Sequence, residues 1–263
     1  MKMNCVATSV KDRLTNLVYR LADAGFFTLL RESCNANAED ALSDFQQTDG
    51  YDALAEEGIQ FDAGCSKIVI FDDYCDYVLK VATDIADDYC GTEAKIYADA
   101  VKLGIDCCFA QCEKLMTYTE GRWEWDIYMM EFCECGYDMV AEKTDNFQYR
   151  SYLAKTGKPD TRETEEEFYE KYDTSDGQCT SGMIAYAIDC WRLPLPKLEA
   201  LLKLLAEYRV NDLHCGNWGY IDGQLVLVDY SGYGEFEERE FKLSKKVAPS
   251  KSSKPIQSSG ENY

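Results

Sequence analysis

Residues 209–232 read R-V-N-D-L-H-C-G-N-W-G-Y-I-D-G-Q-L-V-L-V-D-Y-S-G. A polar loop comes first, carrying Asp212 and, five residues on, Asn217. Two apolar runs follow, Tyr220-Ile221 and 225–228, separated by Asp222-Gly223. Asp-Gly between apolar runs predicts a β-hairpin, because both turn residues need a positive φ that Asp tolerates and Gly adopts freely. The second strand ends in Asp229-Tyr230-Ser231-Gly232, so the hairpin returns Asp229 to the loop holding Asp212 and Asn217. An amide oxygen and a carboxylate brought together suit a hard cation such as Mg²⁺, which takes substrate phosphate oxygens besides one or two protein ligands. A second carboxylate nearby can accept a proton from an attacking hydroxyl.

This order of loop, hairpin and aspartate resembles the catalytic loop and metal-binding turn of the protein-kinase-like fold, whose signature is D-x-x-x-x-N, a hairpin, then D-F-G. The wording D-L-H-C-G-N at 212–217 is similar to the D-L-H-x-G-N of aminoglycoside and choline phosphotransferases. It is also similar to the D-M-H-x-G-N of small bacteriophage-encoded serine/threonine kinases. The resemblance implies an α+β, two-lobed fold with a five-stranded antiparallel N-lobe sheet and a reduced, mainly helical C-lobe. It implies ATP and Mg²⁺ as cofactors, with Asp212 as catalytic base and Asn217 and Asp229 as metal ligands.

Upstream, 59–61, 67–71 and 77–81 are short β-rich runs broken by the turn-like Asp62-Ala63-Gly64 and Asp72-Asp73, and they predict a three-strand meander. In the family the first two strands flank a glycine-rich phosphate loop and the third ends in a lysine on the α- and β-phosphates. Here the third is V-L-K-V, which puts Lys80 at that position. The loop, F-D-A-G-C-S-K-I-V, has one glycine where most protein kinases have three. Gly64 would let backbone approach phosphate, and Ser66 could donate a hydrogen bond. Taken alone, Lys80 reads as a strand lysine with its head in water.

Helical spacing of Ile96, Ala100 and Leu103 before Gly104 predicts a helix over 92–103. By the resemblance Glu93 is the glutamate that orients Lys80, with Asp87 or Asp88 as alternatives. The stretches 107–116 and 123–132 read as two further strands, completing five with one helix against them. The second, W-E-W-D-I-Y-M-M-E-F-C, resembles the strand entering the family's hinge. That match makes Met130 the guard of the pocket and turns the Glu131 to Cys133 backbone towards adenine.

On either side lie helical segments. Val10, Leu14, Leu17, Val18, Leu21, Ala22 and Phe26 predict a helix ending near Gly25, then a second apolar piece at 26–30. The acidic 35–57 reads as a short helix plus loop, and the whole of 1–57 as a helical extension packed on the main domain. The polar 143–178 reads as an insert of short helices anchored by occasional aromatics. Helices are predicted at 181–192 and 197–208, separated by Leu193-Pro194-Leu195-Pro196. This divides the chain into 1–57, the N-lobe 58–135, the C-lobe 136–241, and a Lys/Ser tail at 242–263 expected to be disordered.

Composition bounds the reading. With 263 residues, 46% hydrophobic and 29% charged, the chain can bury a substantial core. No signal-peptide pattern and no membrane-length apolar run is present, so a cytoplasmic protein without a membrane partner is expected. The cytoplasm would be that of a bacterial host if the chain is phage-encoded. The net charge of −21 argues against direct nucleic-acid binding and permits a basic protein partner. Thirteen cysteines show no C-x-x-C pair, and His214 is the sole histidine, so a structural zinc site is not expected.

Two departures from the family pattern matter. Val210-Asn211 stands where most protein kinases have His-Arg before the catalytic Asp, and only 31 residues follow Gly232. No A-P-E motif follows, and a helical substrate platform is not expected. The leading expectation is therefore an ATP- and Mg²⁺-dependent serine/threonine protein kinase of phage type, acting on protein Ser/Thr hydroxyls. The alternatives are a small-molecule phosphotransferase and an acidic pseudokinase or inhibitor that works by binding a protein.

Overall fold

Alternating side-chain environments along the strands organise the molecule. The computed structural model describes residues 6–33, 37–64, 66–72, 75–83, 89–171 and 180–231. Asp87, Asp88, Tyr172, the acidic 235–241 stretch and the 242–263 tail lie outside these. The strands β1 (Ile59–Ala63), β2 (Lys67–Asp72), β3 (Tyr77–Ala82), β4 (Cys112–Glu120) and β5 (Trp123–Glu131) form an antiparallel sheet in the order β1-β2-β3-β5-β4. The protein is thus α+β, with the predicted five-stranded antiparallel sheet. Ile68 and Ile70 of β2, Leu79 and Val81 of β3, and Ile127 and Met129 of β5 share one face. Lys67, Val69 and Phe71, Val78 and Lys80, and Tyr128 and Met130 alternate with them and therefore share the other.

The first face is covered by α1 (Thr8–Asp23), α2 (Phe26–Glu32), α3 (Ala38–Phe45) and α4 (Asp49–Glu56). Leu14, Leu17, Val18 and Leu21, at helical spacing, join Phe26, Phe27 and Phe45 in one apolar cluster with the strands. Phe27 stacks on Tyr118 with ring centroids 4.4 Å apart, and Phe45 meets Phe61 edge-on at 5.6 Å. Burying each such ring contributes about 1.5–3 kcal/mol, which is why the first helices stay on the sheet. Exposed ion pairs, Arg13 with Asp72 and Arg31 with Glu120, border the contact. The 35–57 region differs from its reading as one helix plus loop: Asn37 and Thr48 each accept a hydrogen bond from the first turn that follows and so start two helices.

On the second face sits α5 (Tyr89–Leu103), already helical three residues before the predicted start, and the helices that follow the sheet pack against α5 and the distal hairpin. The strand predicted at 107–116 is corrected: residues 106–108 form a single 3-10 turn, and β4 starts only at Cys112 and runs on to Glu120. Phe109 instead makes an isolated parallel bridge to Leu227, and the Ala110 N–H donates to the Leu227 carbonyl at 2.8 Å. This segment thus sews the sheet to the distal hairpin. The insert read as short helices opens with one long helix, α6 (Tyr137–Thr156), followed by α7 (Arg162–Lys171), with Tyr149, Tyr152 and Phe168 packed between them. Further on come α8 (Thr180–Trp191) and α9 (Leu195–Glu207), whose Leu201, Leu204 and Leu205 are buried. The Tyr208 hydroxyl donates to Asp99 at 2.7 Å and ties the end of α9 to α5.

The hairpin has the predicted form. β7 (Trp218–Ile221) and β8 (Gln224–Leu227) pair across Asp222 and Gly223, with φ of 50° and 78°. A short strand that the sequence did not announce, β6 (Glu134–Cys135), adds to β7 and joins the end of β5 to the hairpin. It passes so close that a Cβ added at Gly219 would lie 3.0 Å from both the Cys133 and Cys135 sulfurs and 3.1 Å from the Glu134 carbonyl. Gly219→Ala should therefore destabilise the protein by about 1–3 kcal/mol. A urea midpoint equal to wild type would show that β6 can shift without cost. No described helix is long and apolar enough to cross a membrane.

Candidate functional site

The cleft-facing side of the sheet, the β6 crossover and the 210–231 segment enclose a cleft of about 870 Å³. Its lining includes every residue singled out from the sequence except Glu93, which lies behind it: Gly64, Ser66, Lys80, Met130, Glu131, Cys133, Asp212, Asn217 and Asp229. Val69, Phe71, Val78, Val210 and Val228 give it an apolar wall, and Lys67, Asp212 and Asp229 give it charge.

The loop at 210–217 is held largely by the Asn217, Trp218 and His214 side chains bonding to its backbone, and the Asp212 carboxylate makes none of these bonds. Asn217 donates from Nδ2 to the Asp212 carbonyl at 2.7 Å, and its own carbonyl accepts from the Val228 N–H at 3.0 Å and the Asp229 N–H at 3.5 Å. Asn217 is buried, and its Oδ1 makes no hydrogen bond among the described residues. Trp218, also buried, donates from Nε1 to the Leu213 carbonyl at 3.2 Å. His214 accepts from the Gly216 N–H at Nδ1 (3.1 Å), so its other nitrogen, 3.6 Å from Asp212 Oδ1, carries the proton. The Asp212 side chain is about half exposed, at 52%.

Behind this loop lies a cluster of two lysines and two carboxylates. Glu93, fully buried on α5, receives the Lys80 ammonium 2.9 Å from Oε1 and 2.8 Å from Oε2. The same Oε1 accepts from Lys67 at 3.0 Å and from the Tyr230 N–H at 3.4 Å. Lys67 also donates to Asp229 Oδ1 at 2.7 Å and to the Ser231 hydroxyl at 3.0 Å. Burial works against the charge on Lys80, but Glu93 and then Asp229 outweigh it and raise its pKa above the ordinary lysine value. For Asp229, desolvation works to raise the pKa, and Lys80 and Lys67 together overcome it and hold the carboxyl well below the usual range. Asp229 is therefore ionised across the whole physiological range, in the form a cation requires.

Glu93 is thus the residue that meets Lys80. Lys67 is the member of the cluster that sequence reasoning missed, together with Ser231. A signal was present: Lys67 opens β2 and, by strand alternation, must share a face with Val69, which is paired with Lys80. Met130 is buried with its Sδ 3.6 Å from the Lys80 ammonium. The Glu131 to Cys133 segment lines the cleft. The Glu131 N–H donates to the Gln111 carbonyl and the Phe132 N–H to Asp76, at 2.8 and 2.7 Å. The Cys133 N–H makes no backbone hydrogen bond among the described residues. Gly64 needs no glycine for its own backbone, since an added Cβ would meet nothing within 4 Å. Comparison with protein-family models, with curated proteins and with solved structures returns no match.

The donor set bears on which ion could bind. Among the described residues no three His, Cys, Asp or Glu side chains converge on a metal position. One ionised carboxylate and one amide oxygen with spare capacity, joined through the Asn217 carbonyl, fit a hard cation that completes its shell with water and phosphate. They do not fit zinc, which takes Cys or His ligands in closed sites.

Proposed function

We propose that this protein is an ATP- and Mg²⁺-dependent phosphotransferase with a kinase-like two-lobed fold, acting on serine or threonine hydroxyls of a protein. The observation that carries the reading is the convergence on one cleft of Lys80 paired with buried Glu93, ionised Asp229, Asn217 and the half-exposed Asp212. These residues lie up to 149 positions apart in sequence, and this combination has a common use in phosphoryl transfer.

In this reading adenine enters between Val69, Val78, Met130 and Val228, with the Cys133 N–H as donor. Lys80, held by Glu93, offers its ammonium to the phosphates and cannot swing away without breaking a buried ion pair. Asn217 Oδ1 and Asp229 would hold Mg²⁺, which neutralises phosphate charge when bound. Asp212 orients the acceptor hydroxyl and takes its proton as the oxygen attacks the γ-phosphorus. The bond from that phosphorus to the β–γ bridging oxygen breaks, and ADP leaves. The half-exposed Asp212 side chain leaves the acceptor side accessible to an extended peptide.

Incubation with γ-labelled ATP and Mg²⁺ tests this. Label should appear on serine or threonine of this chain or of a bacterial lysate protein, with Ser250, Ser252, Ser253, Ser258 and Ser259 as acceptors in cis or in trans. Label only in small metabolites would replace the protein substrate with a small one. Absence of label despite ATP binding would make the protein a nucleotide-binding scaffold.

A further inference from the structure

The carboxylate assigned to the metal already has a cation on it. The Lys67 ammonium lies 2.7 Å from Asp229 Oδ1, 3.0 Å from Ser231 Oγ and 3.0 Å from Glu93 Oε1. An ammonium has three protons, and these three acceptors match them one for one. The Lys67 side chain is 8% exposed and that of Asp229 44%, so the lysine reaches Asp229 from within the molecule and leaves its outer side to the cleft. Lys80, by contrast, donates to Glu93 and to the Val228 carbonyl without touching Asp229. Lys67 therefore occupies a coordination position on Asp229, in the cleft that Asn217 also lines.

We propose that Lys67 is the resident counter-ion of the metal-binding carboxylate, and that a divalent cation arriving with nucleotide displaces its ammonium from Asp229. The proposal rests on the functional reading above and deepens it. With the Lys67 ammonium 2.7 Å from Oδ1, a divalent ion on either oxygen of the same carboxylate lies close enough to it for strong repulsion in a partly buried site. With Lys67 in place, two ammonium groups balance the two carboxylates of Glu93 and Asp229. A bare divalent ion would leave that cluster with an uncompensated double charge, whereas an ion carried by a polyphosphate brings the compensating anion with it. The released ammonium, still anchored by Glu93 and Ser231, then faces the same phosphates. The arrangement makes metal binding conditional on nucleotide and keeps Asp229 paired until then.

Direct Mn²⁺ binding to the full chain, read by electron paramagnetic resonance without nucleotide, tests the displacement apart from any turnover. Lys67→Met should bind Mn²⁺ at least tenfold more tightly than wild type, and adding Asp229→Asn should abolish that gain. Unchanged or weaker Mn²⁺ affinity in Lys67→Met would overturn the proposal. So would an equal gain from Lys80→Met, which removes a neighbouring charge that does not touch Asp229. A second measurement needs no variant: in wild-type protein carrying ¹⁵N-lysine, saturating Mg²⁺ and ATP should shift the Lys67 ammonium resonance. A resonance that stays in place while nucleotide binds would overturn the displacement and leave the phosphotransferase reading standing. Absence of Mn²⁺ binding in every variant, and with ATP present, would overturn the metal site and this proposal together.

Discussion

Asp212→Asn should slow phosphoryl transfer by about 10²–10⁴-fold, the usual contribution of a positioned general base, while ATP affinity stays at the wild-type value. The geometry explains why the two effects separate. Asn217 grips the Asp212 backbone carbonyl, and the Asp212 side chain is 3.6 Å from His214 and makes no hydrogen bond among the described residues. An amide of the same shape leaves the loop where it is and loses only the capacity to take a proton. The measurements are single-turnover transfer with labelled ATP and, separately, nucleotide affinity by calorimetry. Transfer at the wild-type rate would remove Asp212 from the chemistry. A parallel fall in affinity would mean that the side chain holds the loop, and the role assigned to it would be wrong.

Asp229→Asn should abolish most of the Mg²⁺-dependent stabilisation by ATP. At a free ATP concentration about a hundred times its Kd, binding to the folded state alone stabilises wild type by ~2.7 kcal/mol, and the variant should show only the small metal-independent part. Asparagine is the informative replacement, because its oxygen can still accept from Lys67, which is otherwise left buried with one acceptor fewer. The fold should therefore survive, and circular dichroism with a thermal melt checks it. Equal ATP-induced shifts in variant and wild type would sink the metal assignment.

A pH signature accompanies the same residue. The folded pKa of Asp229 is depressed, so the stabilisation it contributes is present above the unfolded carboxyl value of about 3.9 and is lost as pH falls through the folded value. The stability of Asp229→Asn should fall less steeply with acid below about pH 4. Identical acid limbs would show that the lysines do not hold this carboxylate.

The local elements of the site were legible because their causes are local. Asp222-Gly223 between apolar runs demanded a positive-φ turn, and the structure has one, with φ of 50° and 78°. Short β-rich runs at 67–71 and 77–81 predicted strands, and the amphipathic pattern of 197–208 predicted α9. The failures are equally physical. Residues 107–111 look like the start of a strand because Cys, Phe and Ala suit burial in any backbone conformation. Only the bridge of Phe109 to Leu227 shows that they close against a different sheet. β6 has two residues, too few for any period to appear.

Within the site, spacing alone put Asp212, Asn217 and Asp229 together, since one loop and one hairpin join them. Strand alternation puts Lys67 on the face of Val69, and the β2–β3 register, which pairs Val69 with Lys80, puts both lysines on the same side. The resemblance named Glu93 for Lys80, but nothing in the sequence named a partner for Lys67, because Glu93 approaches from a helix on another layer and its reach depends on how α5 packs against the sheet. Glu93 takes both ammoniums because α5 buries it between β2, β3 and the end of the hairpin, where a lone carboxylate would be too costly to desolvate. The chain order determined which charges could meet; the packing of α5, the sheet and the hairpin decided that Lys67, not solvent, neutralises Asp229.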